Sequence, residues 1–198
     1  MKIIDIKTYL MHCAPPEEGG WSARNWLFVK VETDEGIYGI GEASGWPRVV
    51  ETAIRDLTPL ILGEDPCHIE KLWSKMLAAM MGHGMTGVVG AGAMTGIEIA
   101  LWDIKGKEAG MPVYDLLGGK YRDRIRSYTY IYDTGRDGNE PQFMDTFRAW
   151  TAEPERLAEL AAQYVSEGFT GLKFDPLPQS RHRQLPNPPW EVSLAEYD

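Results

Sequence analysis

Two ionisable residues of opposite charge stand two positions apart late in the sequence, in the run GFTGLKFD at residues 168–175. Residues 169–176 come immediately after the glycine that ends a predicted helix and are predicted to form a strand. Side chains two apart in a strand point to one face, so Lys173 and Asp175 lie together while Leu172 and Phe174 face the other way. An ammonium and a carboxylate on one face can bind charged or hydroxylated molecules. This pair is the first catalytic candidate, and an internal ion pair without chemistry is the alternative.

A second group of candidate binding residues stands at the end of an early segment that has no hydrophobic periodicity. Residues 13–25 contain two prolines and two glycines, which predicts a loop. The segment ends in Trp21, Arg24 and Asn25, and an exposed tryptophan and arginine in a loop could close over a polar acid. Packing of this loop against the rest of the protein, without any role in binding, is the alternative.

Other polar residues are weaker candidates. His83, in the glycine-rich run at residues 82–92, could face a binding site, although a histidine between glycines is more often a surface residue. Glu42 and Glu98 are interpreted as structural, because no second carboxylate stands at a fitting spacing around either of them. We therefore predict no metal ligands from these residues.

The first part of the chain predicts an α+β domain. Residues 2–11 and 26–43 have strand character, and the turn residues at 34–36 split the second run into a hairpin. Three helices should follow and bury their apolar stripes on this antiparallel meander. The predicted helices begin near Arg48, near His68, and at Thr95, which forms a capping box with Glu98; the third ends at Gly110.

The second part predicts the beginning of a different architecture. A strand at 124–132, a helix from about Pro154 to Gly168 and the strand at 169–176 make a βαβ unit, which requires parallel strands. A (β/α)₈ barrel takes about 250 residues. We therefore expect residues 1–123 to form one domain and residues 124–198 only the first βαβ part of an incomplete, truncated (β/α) barrel of the TIM type.

Composition narrows the possible partners. The formal net charge is −9, so no broad basic surface is available for nucleic acid or an anionic membrane. The N-terminal residues alternate polar and apolar types, unlike a signal peptide, and no stretch is long enough to span a bilayer. Cys13 and Cys67 are expected to stay reduced, which together with these features predicts a cytoplasmic protein.

The helix-to-barrel junction carries a resemblance to a known family. The run AMTGIEIALWDIKGKEAGMPVYDLLGG at residues 93–119 closely resembles that junction in the mandelate racemase branch of the enolase superfamily. Residues 25–42, 63–66 and 168–175 resemble family segments in the same order. The resemblance implies a capping domain whose two loops close over a barrel active site. It also implies removal of the proton α to a carboxylate beside one or two Mg²⁺ ions, whose ligands lie on later barrel strands than this sequence reaches.

Within that family, the pattern on the second barrel strand separates reactions. Racemase-type members of the family that this chain resembles carry a Lys-x-Lys motif there, and the second lysine is a base. This chain has Lys173 and Asp175 at those two positions. The resemblance is instead to galactonate- and mannonate-type dehydratases of sugar acids. It implies that Lys173, enclosed in the barrel, steadies a substrate carboxylate oxygen and that Asp175 orients it or binds hydroxyls. Asn25 resembles a substrate-contacting asparagine, and Trp46 stands in the second specificity loop.

The alternatives remain open at this point. A racemase, epimerase or cycloisomerase of the same superfamily would share the capping loops, and a non-catalytic capping or oligomerisation fragment would share the fold. The resemblance implies a small acid sugar as substrate and a homo-oligomer as the assembly. It also implies that a chain without the later strands is inactive alone.

Overall fold

The structure, a computed structural model, describes residues 1–12, 25–81, 84, 87–131 and 154–174. The chain divides into two compact units, Met1–Tyr121 and Arg122–Asp198. The predicted loop at 13–24 lies outside the described residues.

An antiparallel three-stranded sheet opens the first unit, in the order β1-β2-β3. Its strands are β1 (Ile3–His12), β2 (Asn25–Thr33) and β3 (Tyr38–Ala43). Gly36, with φ +81°, occupies the turn between β2 and β3, a conformation that favours glycine. The predicted meander and its hairpin are therefore confirmed.

Four helices complete the first unit: α1 (Pro47–Ile61), α2 (Ile69–Met81), α3 (Val88–Ala109) and the short α4 (Val113–Leu116). Helices α1 and α3 pack on one face of the sheet, where alternate β2 residues such as Leu27 and Val29 are fully buried. The core that forms between the sheet and helices also includes Val50, Ile54, Leu72, Met76, Ile97, Leu101 and Ile104.

The start of α3 differs from the prediction. The helix begins at Val88, with Gly87 as the extended N-cap residue, so Thr95 lies inside the helix and forms no capping box. Residues 88–92, the second half of the glycine-rich run, are helical. Glycine weakens an isolated helix, but here it permits contact with β3: a Cβ on Gly96 would lie 2.8 Å from the Cβ of Ala43. The predicted end is confirmed, because Gly110 adopts φ +64° as the C-cap.

Some backbone groups on the open edges of the sheet are satisfied by hydrogen bonds from outside the sheet. On β3, the Ile40 amide donates to Asp103 Oδ2 at 2.9 Å, and Lys107 Nζ donates to the Tyr38 carbonyl at 2.7 Å. On β1, the Ile3 amide donates to the Glu64 carbonyl at 2.9 Å. Satisfied edges oppose pairing with strands of other chains.

The second unit contains a parallel βαβ arrangement, as predicted. Strand β4 (Thr129–Tyr130) pairs in parallel with β5 (Leu172–Lys173), and helix α5 (Pro154–Ser166) lies between them in the sequence. Both strands are shorter than predicted within the described residues. Residues 124–128 join no ladder. A turn at Gly168, which has φ +100°, separates α5 from the segment that leads to β5.

Within the described residues, none of the helices combines the length and apolarity needed to cross a membrane.

Candidate active site

The paired strands of the second unit place Lys173 beside two tyrosines. In the β4–β5 ladder Tyr130 stands directly opposite Lys173, so both side chains share one face of the sheet. The Lys173 Nζ lies 4.6 Å from the centre of the Tyr130 ring and 6.0 Å from that of Tyr128. Cations within about 6 Å of an aromatic ring are attracted by its electron-rich face. The ammonium is thus held next to an aromatic wall.

Glycine at position 171 makes room for this wall. A Cβ on Gly171 would lie 3.1 Å from the Cβ of Tyr128, which is tighter than ordinary contact. Next to it, Arg126 ties the two chain segments together: its Nε donates to Thr170 Oγ1 at 2.7 Å, and a terminal guanidinium nitrogen donates to the Thr170 carbonyl. The sequence thus gives one face of the unit a guanidinium, two phenol rings and an ammonium.

Lys173 is exposed to solvent rather than enclosed, which corrects the expectation of a barrel interior. Phe174 is 52% exposed, and Leu172, predicted to lie on the same face of the strand, is half-buried. The reason is that a barrel encloses its inner side chains with strands on every side, whereas the described part of this unit has two strands. Its buried apolar residues are Ile131 and Leu160.

The first unit brings two predicted binding residues to one end of its sheet. Asn25 is the first residue of β2, opposite His12 in β1. Trp46 follows the end of β3 as the N-cap residue of α1 and is 57% exposed. Because β2 and β3 are antiparallel, the beginning of one and the end of the other meet at the same end. Gly45 lies there too, against Val88 at the start of α3.

Four predicted site residues lie outside the described residues: Trp21, Arg24, His83 and Asp175. Their roles, and those of Asn25, Trp46 and Lys173, remain predictions. Tyr128 and Tyr130 were not among the candidates. The signal that could have found them is their spacing of two in the predicted strand 124–132, which in a parallel pair puts both on one face next to Lys173.

The described residues do not fit a divalent metal. Among them, no group of three or more His, Cys, Asp or Glu side chains is placed to hold an ion. Glu98 accepts a hydrogen bond from Trp102 Nε1 at 3.3 Å, and Glu42 is exposed on β3. No step of a reaction can therefore be derived through a metal from these side chains.

The sheet, the covering helices and the following parallel βαβ segment define the class: this is the capping-domain architecture of the enolase superfamily, joined to a parallel strand pair. A family model for the mandelate racemase / muconate lactonizing enzyme N-terminal domain matches residues 17–118. The chain therefore belongs to the mandelate racemase / muconate lactonizing enzyme family.

Individual relatives are similar over most of the chain. A D-galactonate dehydratase from Xanthomonas campestris pv. campestris is 46% identical and one from Verminephrobacter eiseniae is 43% identical, each over 88% of this chain and 48% of the relative. The chain thus spans about half the length of these relatives. The crystal structure of a mandelate racemase/muconate lactonizing enzyme from Jannaschia sp. CCS1 is 37% identical with a TM-score of 0.71, over 89% of this chain and 44% of that one. The 3,6-anhydro-D-galactonate cycloisomerase from Zobellia galactanivorans is 31% identical with a TM-score of 0.65, over 87% and 42%.

Proposed function

We propose that this chain provides the capping domain and first barrel strands of a metal-dependent sugar-acid dehydratase. The observation that carries the proposal is the identity of 43–46% to proteins named D-galactonate dehydratase, which extends over the capping domain and into the βαβ segment. In this proposal residues 1–123 form the capping domain and residues 124–198 begin the barrel. The protein acts in the cytoplasm on a small acid sugar.

The proposed reaction begins at the carbon next to the substrate carboxylate. A base removes the proton from that carbon, and the electron pair moves towards the carboxylate as an enediolate. The electron pair then returns to form a carbon–carbon double bond, while the hydroxyl on the neighbouring carbon takes a proton from a general acid and leaves as water. The enol product tautomerises to a 2-keto-3-deoxy acid. The Lys173 ammonium donates a hydrogen bond to a carboxylate oxygen and stabilises the charge that develops there. Asp175 orients that ammonium or binds a substrate hydroxyl.

We place the Mg²⁺ ligands outside the described residues, which do not form a metal site. We place the base on a later barrel strand, as the family resemblance implies. The Mg²⁺ requirement rests on the family, in which the ion stabilises the enediolate. Because the proposed base and Mg²⁺ ligands belong to later barrel strands, we propose that the 198 residues alone do not turn over substrate.

A fusion tests the proposal. Residues 1–176 are joined in frame to the C-terminal half of the Xanthomonas campestris relative, and the product is screened with acid sugars and Mg²⁺. We expect a 2-keto-3-deoxy product, lost on addition of EDTA, and a fall in kcat of about 10²-fold for Lys173→Ala, a typical effect of removing one charge-stabilising donor. Lys120→Ala is the matched control, because Lys120 also lies over a tyrosine ring, at 5.8 Å from that of Tyr114. A folded fusion without dehydration would refute the proposal.

The cycloisomerase among the similar structures favours one second candidate. An isomerase would give a product of unchanged mass, whereas a dehydratase product has lost one water. Mass spectrometry of the same reaction therefore separates a dehydratase from a cycloisomerase, racemase or epimerase, because none of these three changes the mass. A non-catalytic capping or oligomerisation fragment would give no product in any fusion.

We also propose that the protein forms a homo-oligomer through the sheet face turned away from the helices. This face, the outer sheet face, carries exposed apolar side chains on all three strands: Tyr9, Met11, Trp26, Tyr38 and Ile40. The strand register places Met11 next to Trp26. Exposed apolar groups that cluster in this way are typical of interaction sites, and a second copy would offer the same surface.

A further inference from the structure

The contact between Lys173 and Tyr130 has a consequence beyond the proposed reaction. We propose that Tyr130 is a positioning residue, whose ring holds the Lys173 ammonium in place for an anionic substrate group. The catalytic importance of this contact rests on the proposed function, but the contact itself does not.

Backbone pairing supports the proposal first. The Tyr130 and Lys173 backbones are direct partners in the β4–β5 ladder, and the amide of Ile131 donates to the Lys173 carbonyl at 3.0 Å. Tyr130 is half-buried. The ring is therefore presented from a hydrogen-bonded strand at the position where Lys173 leaves the neighbouring strand.

The electrostatics of a ring suit this task. A lysine side chain is a flexible chain with a strongly hydrated ammonium and loses much rotamer freedom when it is held in one place. A tyrosine ring attracts the ammonium through its π face and accepts none of its N–H protons in a conventional hydrogen bond. A carboxylate at position 130 would instead form an ion pair with the ammonium and compete with an anionic substrate for it. The ring at 4.6 Å orients the ammonium and preserves its charge.

Distance distinguishes the two tyrosines. Tyr128 shares the face, but its ring centre is 6.0 Å from Nζ, at the limit of a useful interaction, and its side chain is 62% exposed. We assign the positioning role to Tyr130, and Tyr128 is the natural control.

The deciding experiment uses proton NMR on the 198-residue chain, without substrate. A ring 4.6 Å from Nζ shifts the Lys173 ε-methylene protons upfield. We expect this shift to persist in Tyr130→Phe and Tyr128→Leu and to vanish in Tyr130→Leu. If Tyr130→Leu unfolds the unit, pentafluorophenylalanine at position 130 keeps the size of the ring while reversing its electrostatics, and should also release the lysine. An upfield shift that survives both changes would overturn the proposal.

Activity of the fusion then tests the positioning. We expect Tyr130→Leu to lower kcat/KM by about tenfold and Tyr130→Phe to restore it to within about twofold. In a Lys173→Ala background Tyr130→Leu should have no further effect, because the two residues act together. Full additivity in an active fusion would overturn the proposal. If every fusion lacks activity, the proposed function fails, whereas the NMR result still decides whether Tyr130 holds Lys173.

Discussion

At the scale of single residues, the chemistry of Cys67 is opposite to that of a reactive thiol. Burial, followed by the hydrogen bond that its Sγ donates to Glu108 Oε2 at 2.8 Å, raises the pKa of Cys67 to about 12. Only the thiolate is a good nucleophile. At neutral pH the side chain is therefore a hydrogen-bond donor that joins the segment before α2 to the end of α3.

We predict that iodoacetamide modifies Cys67 at pH 8 about a thousandfold more slowly than it modifies an unstructured thiol, which follows from a pKa about three units higher. Glu108→Gln should accelerate the reaction, because the neutral amide no longer opposes formation of a thiolate; burial keeps the rate below that of the unstructured thiol. Peptide mass spectrometry at timed intervals gives the rate at Cys67. Glu70→Gln, an exposed carboxylate on α2, should change nothing. Rapid labelling of the wild-type Cys67 would contradict the hydrogen-bonded arrangement.

The same raised pKa has a consequence for stability. The folded state favours the neutral Cys67 thiol. The thiol therefore makes its full contribution to the stability of the fold below its pKa in the unfolded chain, near 9.0. This contribution is lost as the pH rises towards the pKa of the thiol in the folded protein. Alkaline conditions should therefore weaken this link before they affect the core.

At the scale of elements, the packing of α3 on β3 depends on glycines in the strand, which have no side chain. A Cβ on Gly41 would lie 2.0 Å from the Gly96 carbonyl oxygen, and one on Gly39 would lie 1.9 Å from that of Ala100. Both obstacles are backbone atoms, which cannot rotate away. The strand and helix can therefore approach each other only because these strand positions are glycine.

We predict that Gly41→Ala lowers the free energy of unfolding of the first unit by about 3 kcal/mol, the upper part of the range for overpacked cores. Urea unfolding followed by circular dichroism measures the change, and the slope of the transition should stay the same. Gly87→Ala is the matched control, because a Cβ there meets nothing within 4 Å and its φ is −76°. Equal stability of the two variants would show that α3 and β3 are farther apart than described.

At the scale of the whole molecule, the outer sheet face is the surface on which assembly is expected. We predict that the wild-type chain is a dimer or larger at tens of micromolar, measured by light scattering after size exclusion. The double substitution Met11→Lys with Trp26→Lys should give monomers, because it places charge on an interface core. Val49→Lys replaces an exposed apolar residue on α1 and should leave the assembly unchanged. A monomeric wild type would refute this surface as an interface.

The elements differ in how far the sequence alone predicts them. The alternation of apolar and polar residues in β2 and the glycine at position 36 specify the hairpin locally. The strand and the turn were both predicted correctly. The parallel βαβ order also follows from the spacing of its elements. The limits of α3 do not follow in this way. Its glycines would destabilise an isolated helix, but in the folded protein they allow close packing on β3, and this packing offsets the loss.

The sequence by itself therefore determined the antiparallel meander, the helices that cover it, the parallel strand pair and the position of Lys173 on the second strand. Only the tertiary structure decided that α3 begins at Val88 and that the ring of Tyr130 lies against Lys173. Local patterns are set by neighbours along the chain, whereas these two features depend on contacts between segments distant in sequence. Such contacts depend on steric fit and on electrostatic attraction between residues that only folding brings together.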